Sequence, residues 1–241
     1  MGAMRRKPSV IPHSKFFLAP LVAAALLAAA MSPAVAASVA TVGATYVYRL
    51  SNGYNHEPRG QLTYHVDAIE ADRTVVSVTP DSPALGLAYT VVYANDGNWL
   101  RHPLTNHDQP VQYEFAPPYP AYVFPLDSGK SWSVRVNATV PGSGIIRSVR
   151  VDGAVIGTER IRVPAGEFDT LRIRRFVYAG DWDSFLRETN IIEVEWYAPA
   201  LGRAVRSESK SEWQDLRRCG RSGCQPIRGD WNIYELVAVT P

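Results

Sequence analysis

The chain has 241 residues, with 25 Lys and Arg against 23 Asp and Glu, a formal charge of +2. That small excess belongs to the N-terminus: Arg5, Arg6, Lys7 and Lys15 have no acidic counterpart within the first 36 residues, so 21 cations face 23 acids in the remainder. A remainder near −2 gives no electrostatic footprint for nucleic acid, which is excluded as a partner, and 205 residues (241 less 36) bury enough surface to fold without metals or several disulfides.

Residues 1–36 have the three-part layout of a cleaved signal peptide: cations, an Ala/Leu run from Phe16 to Met31, and the small-residue site Ala34-Val35-Ala36. The run is shorter than the ~20 residues that span a bilayer, so cleavage after Ala36 leaves a single β-rich domain over 37–241 with no transmembrane span. With no cysteine in the segment, a lipoprotein anchor is not expected there. The implied location is the periplasm or the exterior.

Beyond the leader, apolar and polar residues alternate with period two and helical periodicity never persists, which predicts an all-β fold. Strands are expected through Tyr46, Tyr48 and Leu50, then Leu62, Tyr64, Val66 and Ala68, then Leu87, Tyr89, Val91 and Tyr93. Between Pro103 and Pro125 prolines crowd the pattern, which predicts a long ordered loop. Trp132, Val134, Val136, Ala138 and Val140 share one face of the next strand, and a final strand runs near Trp231 to Val239.

In the second half, Arg160 and Arg162 lie opposite Ile161 and Val163, and Arg172 and Arg174 opposite Leu171 and Ile173. After Arg174 the parity breaks at Arg175, which predicts a β-bulge there and hence a single, strongly curved antiparallel sheet, a half-open barrel or a sandwich. Glu193 and Glu195 alternate with Ile192, Val194 and Trp196, placing both carboxylates on a solvated face with the arginines. Arg160, Arg162, Arg172 and Arg174 form either a charge ladder or a cradle for an anion. Cys219 and Cys224 are expected to close a local disulfide in an oxidising compartment.

Two turn signatures carry a resemblance. The run from Gly157 to Ile173 through Val163-Pro164-Ala165-Gly166-Glu167-Phe168, the run Glu195-Trp196-Tyr197-Ala198-Pro199-Ala200-Leu201-Gly202-Arg203, and Tyr234-Glu235-Leu236 resemble exported bacterial proteins similar to domain of unknown function 3108, also called TapB-like. The likeness covers most of residues 37–241. It implies a secreted β-rich envelope protein of unassigned activity and transfers no catalytic residue. Physically, Pro164, Gly166, Pro199 and Gly202 act as turn residues that end and restart strands.

Motifs for hydrolysis, phosphate binding, dinucleotides or zinc are missing from the sequence, so neither a catalytic residue, a metal nor a cofactor is expected. Glu193 and Glu195, about 6.6 Å apart along a strand, are the one carboxylate pair suited to a glycan hydrolase. Trp99, Tyr119, Tyr122, Trp182 and Phe185 fall in turn or loop contexts and are candidates for contact with a ligand, or for anchoring loops on the core. The favoured expectation is a non-enzymatic binding or carrier module for a lipid or an envelope protein. A glycan hydrolase and a purely structural envelope component are the alternatives.

Overall fold

The computed structural model describes Gly2 and residues 41–107, 109–221 and 223–241, so the expected signal segment and its cleavage site lie outside the described residues. Contacts divide the chain into Met1–Ala34 and Val35–Pro241, and the fold is that of the second unit. Among the described residues twelve strands follow one another: β1 (Thr45–Asn52), β2 (Pro58–Ile69), β3 (Arg73–Pro80), β4 (Tyr89–Ala94), β5 (Trp99–Asn106) and β6 (Gln109–Tyr119) lead into β7 (Ser131–Thr139), β8 (Ile146–Val163), β9 (Gly166–Tyr178), β10 (Asn190–Ala198), β11 (Arg203–Trp213) and β12 (Ile227–Thr240). Each pairs antiparallel with its chain neighbour, and β1 also pairs with β12 from Thr45↔Thr240 to Asn52↔Asn232. The half-open sheet expected from the sequence is therefore a closed barrel, because that last ladder leaves no edge.

Period-two alternation places Tyr46, Tyr48 and Leu50, then Leu62, Tyr64 and Val66, then Trp132, Val136 and Ala138 on the inner wall. Leu87 departs from expectation: β4 begins at Tyr89 and Leu87 is 87% exposed. The proline-rich stretch also departs, forming β5 and β6 rather than a loop. A proline cannot donate to a ladder, and these lie where ladders lapse. β4 meets β5 only at Val92↔Arg101 and Tyr93↔Trp99, ahead of Pro103, while β6 meets β7 only over Glu114–Ala116, between Pro110 and Pro117.

The expected bulge at Arg174-Arg175 is not present. β9 and β10 stay in unbroken register through Arg174↔Val194 and Arg175↔Glu193, and the irregularity lies on β8 between Val155 and Gly157. Arg175 simply keeps the inward position between Ile173 and Val177.

A barrel grows wider with strand number, and eight strands already give an interior that side chains just fill. Twelve leave space, so the β6–β7 connection is drawn inward. Ala121, Tyr122 and Leu126 are buried, and Trp132 lies flat on Gly153, where an added Cβ would sit 2.1 Å from the ring. Two apolar clusters result. One joins Trp99, Tyr113, Phe115, Tyr119, Val149 and Ile173, the other Tyr46, Tyr48, Val76, Val78, Val91 and Leu236, and Tyr93 packs against both.

The two turn signatures join strands as expected. Pro164-Ala165 connects β8 to β9, and Ala165 N–H donates to the Leu236 carbonyl at 3.0 Å, fastening this hairpin tip to β12. Pro199 to Gly202 connects β10 to β11 through Leu201 N–H to Ala198 O, 3.0 Å. Gly166 has φ +141, which side-chain-bearing residues avoid. Gly166→Val is expected to cost at least about 1 kcal/mol in denaturant unfolding, with the exposed Arg172→Ala near zero. Equal midpoints for the two variants would refute the strained turn.

Candidate functional site in the barrel interior

On β10 the inward residues are Ile191, Glu193, Glu195 and Tyr197, so both carboxylates lie inside the barrel, each 8% exposed. This overturns the expected solvated face. Register sets Glu193 against Arg175, and the Arg175 side chain is 1% exposed. Its Nε donates to Glu193 Oε2 at 2.7 Å, Nη2 to Glu195 Oε1 at 2.5 Å, and Nη1 to Glu195 Oε2 at 3.2 Å and to the Ala121 carbonyl at 3.0 Å. Tyr119 and Tyr122 add hydroxyl donors to Glu193 Oε2 and Glu195 Oε2, each at 3.0 Å.

The electrostatics follow from enclosure. Burial works to lower the Arg175 pKa, but Glu195 and Glu193 outweigh it and hold the guanidinium well above its usual value. Burial, then the adjoining glutamate in each case, lifts the phenols of Tyr119 and Tyr122 well above the ordinary range. The network also positions the β6–β7 connection, since the Asn98 amide bonds both Tyr122 N–H (2.8 Å) and Tyr122 O (3.0 Å).

Of the aromatic candidates, the structure brings together three and separates two. Trp99 stacks on Tyr119 (4.2 Å between centroids) and on His102 (3.9 Å), and Tyr122 adjoins Tyr197 at 4.8 Å. Trp182 and Phe185 are exposed on the β9–β10 connection, beneath Arg187 and Arg217 respectively. The four arginine candidates stay outside: Arg160 adjoins Glu167 and Asp169, Arg162 bonds Glu167, Arg172 lies over Trp196 and Arg174 over Phe176. Cys219 and Cys224 form the disulfide, in the β11–β12 connection.

Sequence reasoning missed a group of aromatic and polar residues on the inner wall. Tyr64, Tyr89, Tyr93, His102, Ser207, Ser209 and Tyr234 lie on the inner wall yet remain partly accessible. They are the inward side chains that the two clusters leave partly accessible. The phenols adjoin one another, for burial and then Tyr89, Tyr93 and Tyr234 raise Tyr64 well above its usual value, and burial pushes Tyr234 up to about 12. A cleft of about 430 Å³ lined by Tyr89, Thr90, Arg101, Val111, Gln112, Val140 and Pro141 opens beside the lapsed β4–β5 ladder, with Tyr89 common to cleft and lumen.

A second cleft, about 560 Å³, lies at the barrel end carrying the β5–β6, β9–β10 and β11–β12 connections, among His107, Trp213, Asp215, Arg217, Arg228 and Asp230. Thr189 Oγ1 accepts from His107 N–H at 2.7 Å and donates to Asp181 at 2.6 Å, binding two of those connections together. No group of three or more His, Cys, Asp or Glu suited to a metal occurs among the described residues, and no helix there is long and apolar enough to cross a membrane.

Three solved structures are similar to this chain in fold. A candidate lipoprotein of Parabacteroides distasonis shares 14% identity over 83% of this chain and 96% of its own, with a TM-score of 0.48. An exported protein with a YmcC-like fold from Bacteroides fragilis shares 15% identity over 83% and 97%, TM-score 0.42. The hypothetical lipoprotein YmcC of Escherichia coli shares 12% over 83% and 86%, TM-score 0.43. No protein-family model matches the chain, and no curated protein matches it by sequence.

Two measurements probe the interior. Arg175→Met strands two buried carboxylates and is expected to cost about 3–5 kcal/mol, part of which returns when Glu193→Gln and Glu195→Leu are added. A loss under about 1 kcal/mol in the single variant would mean that the network is solvated. Burial lowers His102 to about 4, so its neutral form is favoured by folding. Its contribution is complete above the unfolded value of about 6.5 and is lost as pH falls toward 4, a decline of up to about 3 kcal/mol. His102→Phe should flatten the urea midpoint across that window, and an unchanged slope would refute the assignment.

Proposed function

We propose that this chain is an exported, non-enzymatic binding or carrier module of the bacterial envelope, with the barrel interior taking a lipid-class guest. The observation that carries the reading is the set of inward side chains left partly accessible inside a closed barrel. Native interiors are close-packed, so inward side chains that keep solvent access mark where a guest would fit. Leu62, Val76, Val78 and Val91 supply apolar wall, while the phenols and serines supply a polar stripe, a combination suited to an amphiphile. The cleft at Tyr89 supplies a way in. Export rests on the leader-like residues 1–36 and on the resemblance to the TapB-like group.

A hydrolytic role for Glu193 and Glu195 is the weaker reading. Glycan hydrolysis needs one carboxyl to give a proton and the other to face a sugar or water, whereas both here are held by one guanidinium and two phenols. A purely structural envelope component would have no use for the lumen.

The test uses N-phenylnaphthylamine, an uncharged dye that brightens in apolar surroundings. The exported protein is expected to bind it saturably, and Ser209→Phe, which fills the lumen from the wall, to abolish binding while leaving the melting temperature intact. In a packed interior the added ring would instead cost about 1–3 kcal/mol, and dye binding would be absent from the start.

A further inference from the structure

Arg203 heads β11 opposite Ala198, across a register shift from Ser207, whose partners Glu195 and Tyr234 point into the barrel. Its guanidinium lies 3.4 Å over the Tyr46 ring and 6.0 Å from that of Tyr48, both inner-wall residues 8% exposed. It makes no ion pair and no side-chain hydrogen bond with the described residues, and its Nη1 is buried without a partner. Neighbouring charges emphasise the contrast. Arg175 has two carboxylates and a carbonyl, while Arg203 has aromatic faces only. An arginine offers five N–H donors in a fixed fork, and leaving these unmet inside a protein is costly.

Tyr93, on the inner wall, lies near enough to Arg203 for the two to act on each other. Its phenol feels Arg203, Tyr48 and Glu195, and makes no hydrogen bond with the described residues. An acceptor entering the lumen therefore meets a free guanidinium fork beside a free hydroxyl. The local charge limits what that acceptor can be. Two glutamates against Arg175 leave one negative charge in excess, and Glu195 acts on Tyr48 and Tyr93, the phenols next to Arg203. A dianionic headgroup would be repelled more strongly than a monoanionic one. Planar carboxylate also matches the fork of one arginine.

We propose that Arg203 is the headgroup-recognition residue of the lumen, and that the guest is a long-chain carboxylic acid whose carboxylate pairs with the Arg203 guanidinium while its chain lies along the apolar wall. This deepens the carrier reading and rests on it. The oxyanion docks over the Tyr46 face with Tyr93 as a further donor.

The experiment titrates the exported protein at neutral pH with dansyl-labelled undecanoic acid and, separately, with its methyl ester. The unsubstituted protein is expected to bind the acid at least about tenfold more tightly than the ester, the difference a charge-assisted pair supplies. Arg203→Gln should reduce acid affinity to the ester level with ester affinity unchanged, and Arg172→Gln, on the outer face, should alter neither. Lysophosphatidic acid should displace the acid probe poorly. Equal affinity for acid and ester in the unsubstituted protein, or acid preference retained in Arg203→Gln, would overturn the headgroup assignment while leaving the carrier reading in place. Stronger displacement by the phosphate would overturn the carboxylate choice. Binding of neither probe would remove both inferences. The acid-to-ester ratio of the unsubstituted protein decides the matter even where Arg203→Gln fails to fold.

Discussion

A guanidinium at the centre of a β-barrel sets the terms for everything around it. Arg175 cannot be deprotonated at ordinary pH, so the fold must bring charge and hydrogen-bond acceptors to it or leave several kcal/mol of desolvation uncompensated. The register of β9 on β10 brings Glu193 and Glu195, and the inward path of the β6–β7 connection brings the Ala121 carbonyl. Tyr119 and Tyr122 then satisfy carboxylate oxygens from the same connection. One side chain thus couples strand register to loop position. Apolar residues of similar volume could give comparable stability, but they would not specify which loop segment enters the barrel, because apolar contacts lack direction.

That constraint explains why the interior has two cores. The β6–β7 connection packs into the side to which Arg175 ties it, and a second apolar cluster forms on the other. On the other side the wall is apolar near Val76, Val78 and Val91 and polar near Ser207, Ser209 and Tyr234. The prolines act in the same architecture from the opposite direction. By removing ladder donors along β5 and β6 they shorten two seams of the barrel, and the Tyr89 cleft opens beside one of them.

The sequence made the strand class, most strand faces and both turn connections legible, because period two and Pro-Gly placement are local properties. It did not reveal closure, which depends on β1 meeting β12 across the length of the domain. It also misdirected the β10 faces. Ile192, Val194 and Trp196 form the more apolar set, yet they face outward, with Trp196 covered by Arg172 and Arg206 and its Nε1 donating to Glu159 at 3.0 Å. Alternation says which residues share a face, and the partner strands decide which face is inside. The available clue was Arg175, whose apparent break in parity was read as a bulge. Read instead as an inward arginine, it demands inward acids on the neighbouring strand, and only Glu193 and Glu195 alternate there.

The two interior arginines separate what the fold needs from what it leaves over. Arg175 is accounted for by the chain alone: each of its three nitrogens donates to an oxygen, and the bonds it makes locate a loop. Arg203 is only half-buried, with its Nη1 unpartnered and Tyr46 as its main contact, and a cation over an aromatic face recovers about 0.5–1 kcal/mol where water still reaches it. Nothing in the barrel's geometry requires a cation there, since Val205 and Ala198 beside it pack as ordinary core. A residue that fold stability would replace with an apolar one, beside inward phenols that keep solvent access, is the one feature of the interior for which the proposed guest supplies a reason.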